Sequence, residues 1–351
     1  MTGYATPQDL HKAFHALKAE RRLRNRDAAQ AMGITECEAI ASGVGVDAVR
    51  LAAPLDALFR RMPELGEVMV LTRNEAAVHE KTGRFEQVSG DAKVGLTLGV
   101  IDLRIFFGRW AHGYAVVEQT PRGESRSFQF FDAHGEAVHK VYSRADTRLD
   151  AWDTLVREHA DSNQSPGETV VAKDAPVAEK PAEQIDVERF RQDWLAMKDT
   201  HEFFPLLGRH GVSRRQALQF APAGHAERIG NERIQQMLDS AARDGTSIMC
   251  FVGNPGMIQI HTGPVHRIEV MGPWLNVLDP GFNLHLRTDL VEQAWIVRKP
   301  TSDGVVTSVE LLDAAGETIA LFFGERKPGK PEREDWRALV ATLSSPASLA
   351  A

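Results

Sequence analysis

Ser127-Phe128-Gln129-Phe130-Phe131-Asp132-Ala133-His134-Gly135-Glu136 is one of two stretches that decide the fold; the other is Ser308-Val309-Glu310-Leu311-Leu312-Asp313-Ala314-Ala315-Gly316-Glu317. Both are largely apolar runs that end in Asp-Ala-x-Gly-Glu, and the glycine marks a turn that folds the run into a hairpin. The first continues through an apolar stretch to Tyr142 and a helix-like segment at Trp152 to Val156. The second continues through Ile319 to Phe323 and closes with Trp336 to Val340. The turn aspartates, Asp132 and Asp313, stand 181 positions apart in a chain of 351 residues. A spacing of more than half the chain indicates a duplicated domain, since solenoid repeats recur every few tens of residues. Function is then to be sought in what the copies do together, or in where they differ.

Composition fits a soluble two-domain protein, with 43% hydrophobic and 25% charged residues. The net charge of -7 argues against broad electrostatic binding to nucleic acid or anionic membrane, which depends on neutralising phosphates with Lys and Arg. Cys37 and Cys250 fall one in each half with no paired metal spacing, as in a reducing compartment. The segment Met1 to Leu17 lacks the apolar core of a signal peptide, and no apolar stretch reaches membrane-span length. A cytoplasmic location is expected.

From Asp161 to Gln184 the sequence is rich in Ser, Pro, Glu, Lys and Ala without helical or strand periodicity, the composition of a linker. An N-terminal repeat over residues 1–160, a linker over 161–186 and a C-terminal repeat over 187–345 follow. Leu10, Phe14 and Leu17 set a helical face within Pro7 to Arg22, and helices are predicted at Arg26 to Ser42, Val46 to Leu51 and Leu55 to Met62. Strands are predicted at Val68 to Leu71, Ala76 to Glu80, Gly83 to Val88, Val100 to Phe106, Tyr114 to Gln119 and Ser127 to Tyr142. The second copy matches, with helices near 187–197, 203–208, 214–220 and 231–244, then strands from Ile248 to Phe323. Consecutive strands joined by short turns imply an α+β fold, each half a large antiparallel sheet with flanking helices.

Several motifs carry no function on inspection. Gly43-Val44-Gly45-Val46-Asp47-Ala48 matches a dinucleotide fingerprint by letter, but follows a helical pattern where that mechanism needs a strand. The segment Asp27 to Ala41, with Gly33 at its turn, resembles a helix-turn-helix, although two packed helices of a larger domain suit an acidic chain better. His11 and His15 lie four apart on one helical face and could grip a metal ion; with no third ligand nearby in sequence, surface histidines are the preferred reading.

Three constellations remain. Lys198-Asp199-Thr200-His201-Glu202-Phe203-Phe204-Pro205-Leu206-Leu207 sets an imidazole at the edge of an apolar patch. Ile101-Asp102-Leu103-Arg104-Ile105-Phe106-Phe107 puts Arg104 and Phe106 on one strand face. Arg214, Lys299 and Arg326 are cations embedded beside apolar segments. Singly, each has an ordinary explanation: a helix-opening histidine is commonly a cap or surface residue, and a buried arginine commonly pairs with a carboxylate such as Asp102.

These segments, with Arg73-Asn74-Glu75, Val78-His79-Glu80, Ser213-Arg214-Arg215-Gln216-Ala217 and Phe323-Gly324-Glu325-Arg326-Lys327-Pro328-Gly329, together resemble the cytoplasmic hemin transport and degradation family of the HemS, HmuS and ChuS type. The resemblance spans almost the whole chain, including the duplication. It implies one haem b bound in a cleft with residues from both halves. By that resemblance His201 matches the proximal iron ligand, for which imidazole nitrogen is a suitable axial donor, and Phe203, Phe204 and Leu206 would help exclude water. Arg104 matches a distal-side arginine to which the resemblance gives a catalytic role, and Phe106 an aromatic lining position. Arg214 and Lys299 match positions that meet the haem propionates, with Arg326 a further candidate for that role. Where Phe323 stands, compared members often carry Tyr, so one hydroxyl contact is missing here.

The expectation is a cytoplasmic haem-binding protein of haem uptake and iron utilisation, which receives imported hemin and transfers it or opens the ring to release iron. Ring opening needs a labile distal position, an oxidant and electrons, and no flavin or nicotinamide site is evident, so the carrier reading leads. An inner-membrane haem transporter would be the donor, and a haem oxygenase or other protein the acceptor; neither nucleic acid nor stable membrane insertion is expected. The alternative is a ligand-responsive DNA-binding regulator using residues 27–41. The offset that aligns the turns sets His285 against Arg104 and Arg287 against Phe106, and His201 has no counterpart in the first copy. The site residues therefore lie where the copies differ.

Overall fold

The structure is a computed structural model that describes residues 4–121, 123–175, 178–327 and 329–344. Residues 1–3 of the N-terminal stretch, 176–177 of the linker, Pro328 of the last family motif and Ser345, the expected end of the second repeat, lie outside them. The elements in chain order are α1 (Pro7–Arg21), α2 (Asn25–Ala31), α3 (Glu36–Ala41), β1 (Ala48–Arg50), α4 (Leu55–Phe59), β2 (Gly66–Arg73), β3 (Ala77–Arg84), β4 (Ser89–Gly90), β5 (Gly95–Thr97), β6 (Asp102–Ile105), β7 (His112–Thr120), β8 (Gly123–Phe131), β9 (Ala137–Thr147) and α5 (Leu149–His159). They continue with α6 (Val187–Leu195), α7 (Phe203–His210), α8 (Arg214–Gln219), β10 (Ala226–Ile229), α9 (Glu232–Asp244), β11 (Ile248–Asn254), β12 (Met257–Gly263), β13 (Ile268–Met271), β14 (Trp274–Asp279), β15 (Phe282–Arg287), β16 (Gln293–Thr301), β17 (Gly304–Leu312), β18 (Thr318–Gly324) and α10 (Glu334–Ala341).

The chain divides into two compact units. One comprises the described residues within 1–73, 80–174 and 254–259; the other comprises those within 74–79, 175–253 and 260–351. Within the first, β1-β7-β8-β9-β2 lie side by side, and β6-β5-β4 form a second run. Within the second, β10-β16-β17-β18-β11 repeat the first order, and β15-β14-β13 repeat the other. Adjacent strands of these runs pair antiparallel, as expected from the short turns.

The duplication holds at the level of single hydrogen bonds. In β8–β9, Ser127 pairs with Tyr142 and Phe128 with Val141, and the register slips between Phe130 and Phe131. In β17–β18, Ser308 pairs with Phe323 and Val309 with Phe322, and the slip falls between Leu311 and Leu312. Both turns close with the glycine N–H donating to the aspartate carbonyl, at 3.1 Å for Gly135 and 3.0 Å for Gly316. The aspartate side chains cap the same turns, accepting from Glu136 N at 3.0 Å and Glu317 N at 2.9 Å. Gly135 and Gly316 sit at φ 77° and 85°, where an L side chain is strained.

Alternation along β8 and β17 sorts their side chains between two layers. Phe128 and Phe130 face a core that includes Trp152 of α5, while Phe131 joins Cys37 and Ile40 of α3. Val309 and Leu311 face Trp336 and Leu339 of α10, while Leu312 joins Phe203, Leu206 and Trp194. The polar members of the runs, Gln129 and Glu310, are therefore fully buried on the α3 and α7–α8 sides respectively.

Two expectations are corrected. Val46 to Leu51 is not helical: Ala48, Val49 and Arg50 form β1, paired with Val116, Ala115 and Tyr114 of β7. This short β-branched run is ambiguous in isolation, and the partner strand decides it. The predicted strand from Gly83 to Val88 is likewise no separate element, because β3 runs on through Gly83 to Arg84. The predicted linker forms neither α-helix nor strand among its described residues, but Arg50 fastens its start to the first unit. The Arg50 backbone N–H donates to Gln164 at 3.0 Å, its guanidinium donates to the Gly167 carbonyl at 2.6 Å, and Tyr114 OH donates to Glu168 at 2.7 Å.

Candidate functional site

His201 belongs to a 3-10 turn, Thr200–Glu202, that leads into α7 and is capped by Asp199. Oδ1 of Asp199 accepts the His201 backbone N–H at 2.8 Å and lies 2.6 Å from the ring Nδ1. The backbone bond first, then the ring, hold the Asp199 carboxyl below its usual range, and Arg326 adds to this at longer reach. An ionised carboxylate only accepts, so Nδ1 carries a proton and Nε2 is the nitrogen that the neutral ring offers to a metal. The His201 side chain is 90% exposed, and Phe204, three residues on, is 79% exposed. A metal-binding histidine usually has its second nitrogen held in this way, and an exposed phenyl group three residues on suits a flat apolar partner. Phe203 and Leu206, expected to shield the imidazole, are instead part of the buried core, which leaves Phe204 alone at the surface.

The buried neighbours of that turn form one charged network. Arg214, the first residue of α8, donates from Nε to Glu310 Oε2 at 2.8 Å, and Lys299 of β16 donates to Glu310 Oε1 at 2.5 Å. Ser308 Oγ completes the carboxylate's partners at 2.9 Å. Both cations also stand over the Phe203 ring, Lys299 Nζ at 4.3 Å and the Arg214 guanidinium at 5.3 Å from its centre. Burial would raise the Glu310 pKa, but Arg214 and Lys299 outweigh it and hold the group far below the carboxylate range. Burial also draws Lys299 down against the pull of Glu310. Lys299 is only 3% exposed, so its charge is balanced within the second unit. In the first copy the position equivalent to Glu310 is Gln129, which donates to Ser127 Oγ at 3.0 Å. The buried charge is thus another difference between the repeats.

Arg326 follows the end of β18 and is half-buried. In the other unit, Arg104 on β6 is ion-paired with Asp102 and donates to the Leu103 carbonyl at 3.4 Å. Burial raises the Asp102 pKa despite that arginine. Phe106 is half-buried just beyond β6, and its backbone N–H donates to the Gly256 carbonyl at 3.0 Å. The counterpart of Arg104, His285 on β15, instead places Nδ1 2.7 Å from Asn276 Oδ1. His201, Arg214, Lys299 and Arg326 therefore share one unit, and Arg104 and Phe106 lie in the other. Sequence reading named these six but gave no role to Asp199, although an Asp two residues before a helix-opening His is itself a capping signal. It also passed over Glu310, a lone acid inside an apolar run.

The helix-turn-helix reading is not supported. Five of the six residues of α3 are buried, and Glu36 within it is paired with Lys140 at 2.5 Å, so this helix belongs to the interior and offers no face to a DNA groove. His210 is likewise packed away, edge-on to Phe190 with Nε2 2.8 Å from Asp193. No helix among the described residues is long and apolar enough to cross a membrane.

Comparison with known proteins identifies related chains. A family profile described as the haemin-degrading HemS.ChuX domain matches residues 33–159 and again 211–343. The chain is 39% identical over 337 residues to the hemin transport protein HmuS of Yersinia pestis, covering 95% of this chain and 97% of that one. Holo-PhuS, a haem-binding protein from Pseudomonas aeruginosa, is similar at a TM-score of 0.94 and 45% identity, covering 97% of this chain and 99% of that one. The haem-degrading enzyme ChuS of Escherichia coli O157:H7 is similar at a TM-score of 0.90 and 37% identity, covering 97% and 100%.

Proposed function

This chain belongs to the haemin-degrading HemS.ChuX family, and from that premise we propose that it binds haem b in the cytoplasm, receives it during haem uptake, and passes it on or opens its ring. The observation that carries the reading is the His201–Asp199 pair: Nδ1 is fixed at 2.6 Å by a carboxylate, and the ring is exposed, as is Phe204 three residues on. His201 would hold the haem iron through Nε2, with Asp199 fixing the tautomer and orientation of its ring. Phe204 would offer its exposed ring to the porphyrin.

Arg214, Lys299 and Arg326 are the propionate-side cations. Because Glu310 already balances Lys299 and engages Arg214 through Nε, their contribution is a positive field and the remaining guanidinium N–H groups, with direct pairing strongest at the less buried Arg214 and Arg326. Arg104 and Phe106 enter as distal-side residues on the strength of the family resemblance. Asp102 fixes the orientation of the guanidinium, which retains donors for a polar ligand. Haem is cargo in the carrier reading and substrate in the ring-opening one. An inner-membrane transporter as donor, and a haem oxygenase or other protein as acceptor, complete the proposal.

An absorption titration with hemin tests the binding step. Wild-type protein should give a saturable Soret shift that His201→Ala loses or displaces; an unchanged titration in the variant removes His201 as ligand. Turnover with a defined electron donor in the presence of catalase separates the two outcomes for the cargo. Stoichiometric ring-opened product would eliminate the pure carrier, and intact haem recovered after many equivalents of reductant would eliminate the enzyme.

A further inference from the structure

The fold brings a third ligand to the histidine pair of α1. His11 and His15 are one helical turn apart, and Asp47, immediately before β1, reaches both: Asp47 Oδ2 lies 3.6 Å from His11 Nε2 and 3.2 Å from His15 Nε2. One donor atom from each of the three residues lies within 4.8 Å of the others. A tetrahedral zinc ion with bonds of about 2.0–2.2 Å to nitrogen and oxygen spaces its ligands by roughly 3.3–3.5 Å. The two Asp47 separations bracket that edge, and the imidazole nitrogens lie within 4.8 Å of each other, so closing the set around an ion requires at most a modest approach of the two rings.

The surroundings are built to hold these groups together. Asp47 is fixed by its backbone on both sides, its N–H donating to the Gly43 carbonyl at 3.0 Å and its carbonyl accepting from Val117 at 2.9 Å. Gly43 has no side chain where a Cβ would collide with the Asp47 carboxylate and come within 2.9 Å of His11 Cε1. The helix is seated by buried Phe14, whose ring meets His15 edge-on at 5.4 Å between centres. His11 is mostly buried, and its Nδ1 has no hydrogen-bond partner among the described residues. An ordinary His–Asp contact needs one histidine; here two converge on one carboxylate oxygen, with His15 open to solvent.

We propose that His11, His15 and Asp47 form a binding site for a divalent first-row transition ion such as zinc, which joins α1 to the start of β1 and leaves a fourth position to water. Two imidazoles and one carboxylate are a donor set suited to zinc, and three protein ligands with one open position give an exchangeable site. It uses none of the residues assigned to haem.

The test uses tag-free, full-length, haem-free protein titrated with zinc against a chromophoric chelator, with cobalt as a spectroscopic probe. One equivalent of zinc should bind to wild type and to His201→Ala. His15→Gln, a change at the half-exposed ligand, should weaken it at least tenfold, as should Asp47→Asn, and the cobalt d–d bands should disappear in His11→Gln/His15→Gln. Far-UV circular dichroism of each variant without metal should match wild type, and zinc should raise the wild-type melting temperature but not that of the double variant. Absence of one-equivalent binding in wild type, or its persistence at full strength in a folded double variant, overturns the site.

Discussion

A single oxygen of Asp199 serves both the backbone N–H of His201, at 2.8 Å, and its ring Nδ1, at 2.6 Å. One carboxylate thereby fixes the turn that carries the imidazole and the nitrogen the imidazole offers. Asp199→Ala should lower hemin affinity about 10–100-fold, the usual cost of losing such an orienting partner. His201→Ala should have the larger effect on the Soret band. An Asp199→Ala titration that overlays wild type would show that the pair is only a surface cap.

Glu310 is the counter-ion of two cations in the interior of the second unit. Glu310→Gln leaves Lys299 and Arg214 without it and should destabilise the protein by roughly 3–5 kcal/mol, as expected when one partner of a buried pair is removed. Urea unfolding at neutral pH measures this, and a loss below about 1 kcal/mol would mean that the network relaxes. The pH dependence has a definite sign. With a folded-state pKa depressed below an unfolded value of about 4.3, the stabilisation is complete above that pH and declines as pH falls below it. Wild-type and variant stabilities should converge under acid; parallel curves would rule out ionised Glu310 as the source.

His139 is fully buried, with Nδ1 2.9 Å from Thr72 Oγ1, and burial lowers its pKa to about 3. Its ring should stay neutral across pH 5–8 in a histidine-selective nuclear magnetic resonance titration, and a midpoint above about 5 would contradict the burial. Because the unfolded chain takes up this proton near pH 6.5, stability should fall as pH drops from there towards 3. At its steepest this one group accounts for about 1.4 kcal/mol per pH unit. His139→Gln should have a correspondingly shallower acid slope, whatever its stability at neutral pH.

The two turn glycines have similar φ but different neighbours. A Cβ on Gly135 would lie 2.5 Å from Thr35 Oγ1, the side chain that caps α3, whereas on Gly316 its nearest neighbour would be Arg215 Cβ at 3.1 Å. Either alanine substitution should cost about 1–2 kcal/mol for the left-handed backbone. Gly135→Ala should cost about 1 kcal/mol more, through the disturbed cap. Equal thermal shifts for the two variants would show that Thr35 moves aside freely.

Much of this molecule is legible as a string. The repeated Asp-Ala-x-Gly-Glu turns, the antiparallel runs beside them and the aperiodic segment between the copies follow from turn chemistry and periodicity, which are local properties. Family resemblance added His201 and its companions, for the same reason: short motifs in a fixed order survive without knowledge of their surroundings. Local pattern could not decide Val46 to Leu51, because pairing of Ala48 with Val116 on a distant strand overrides the preference of so short a run.

Tertiary structure alone decided what the charged residues do. Alternation on β17 turns Glu310 inward against α7 and α8, so Arg214 and Lys299, which read as ligand-facing cations, are first of all partners of a buried carboxylate. Asp47, 36 positions from His11 and 32 from His15 in sequence, meets both in the folded chain, where the absence of a side chain at Gly43 leaves room for its carboxylate beside His11. Sequence fixes which groups exist and which local conformations they favour. Which groups meet, and with what protonation, depends on distances and burial that arise only when separate segments pack.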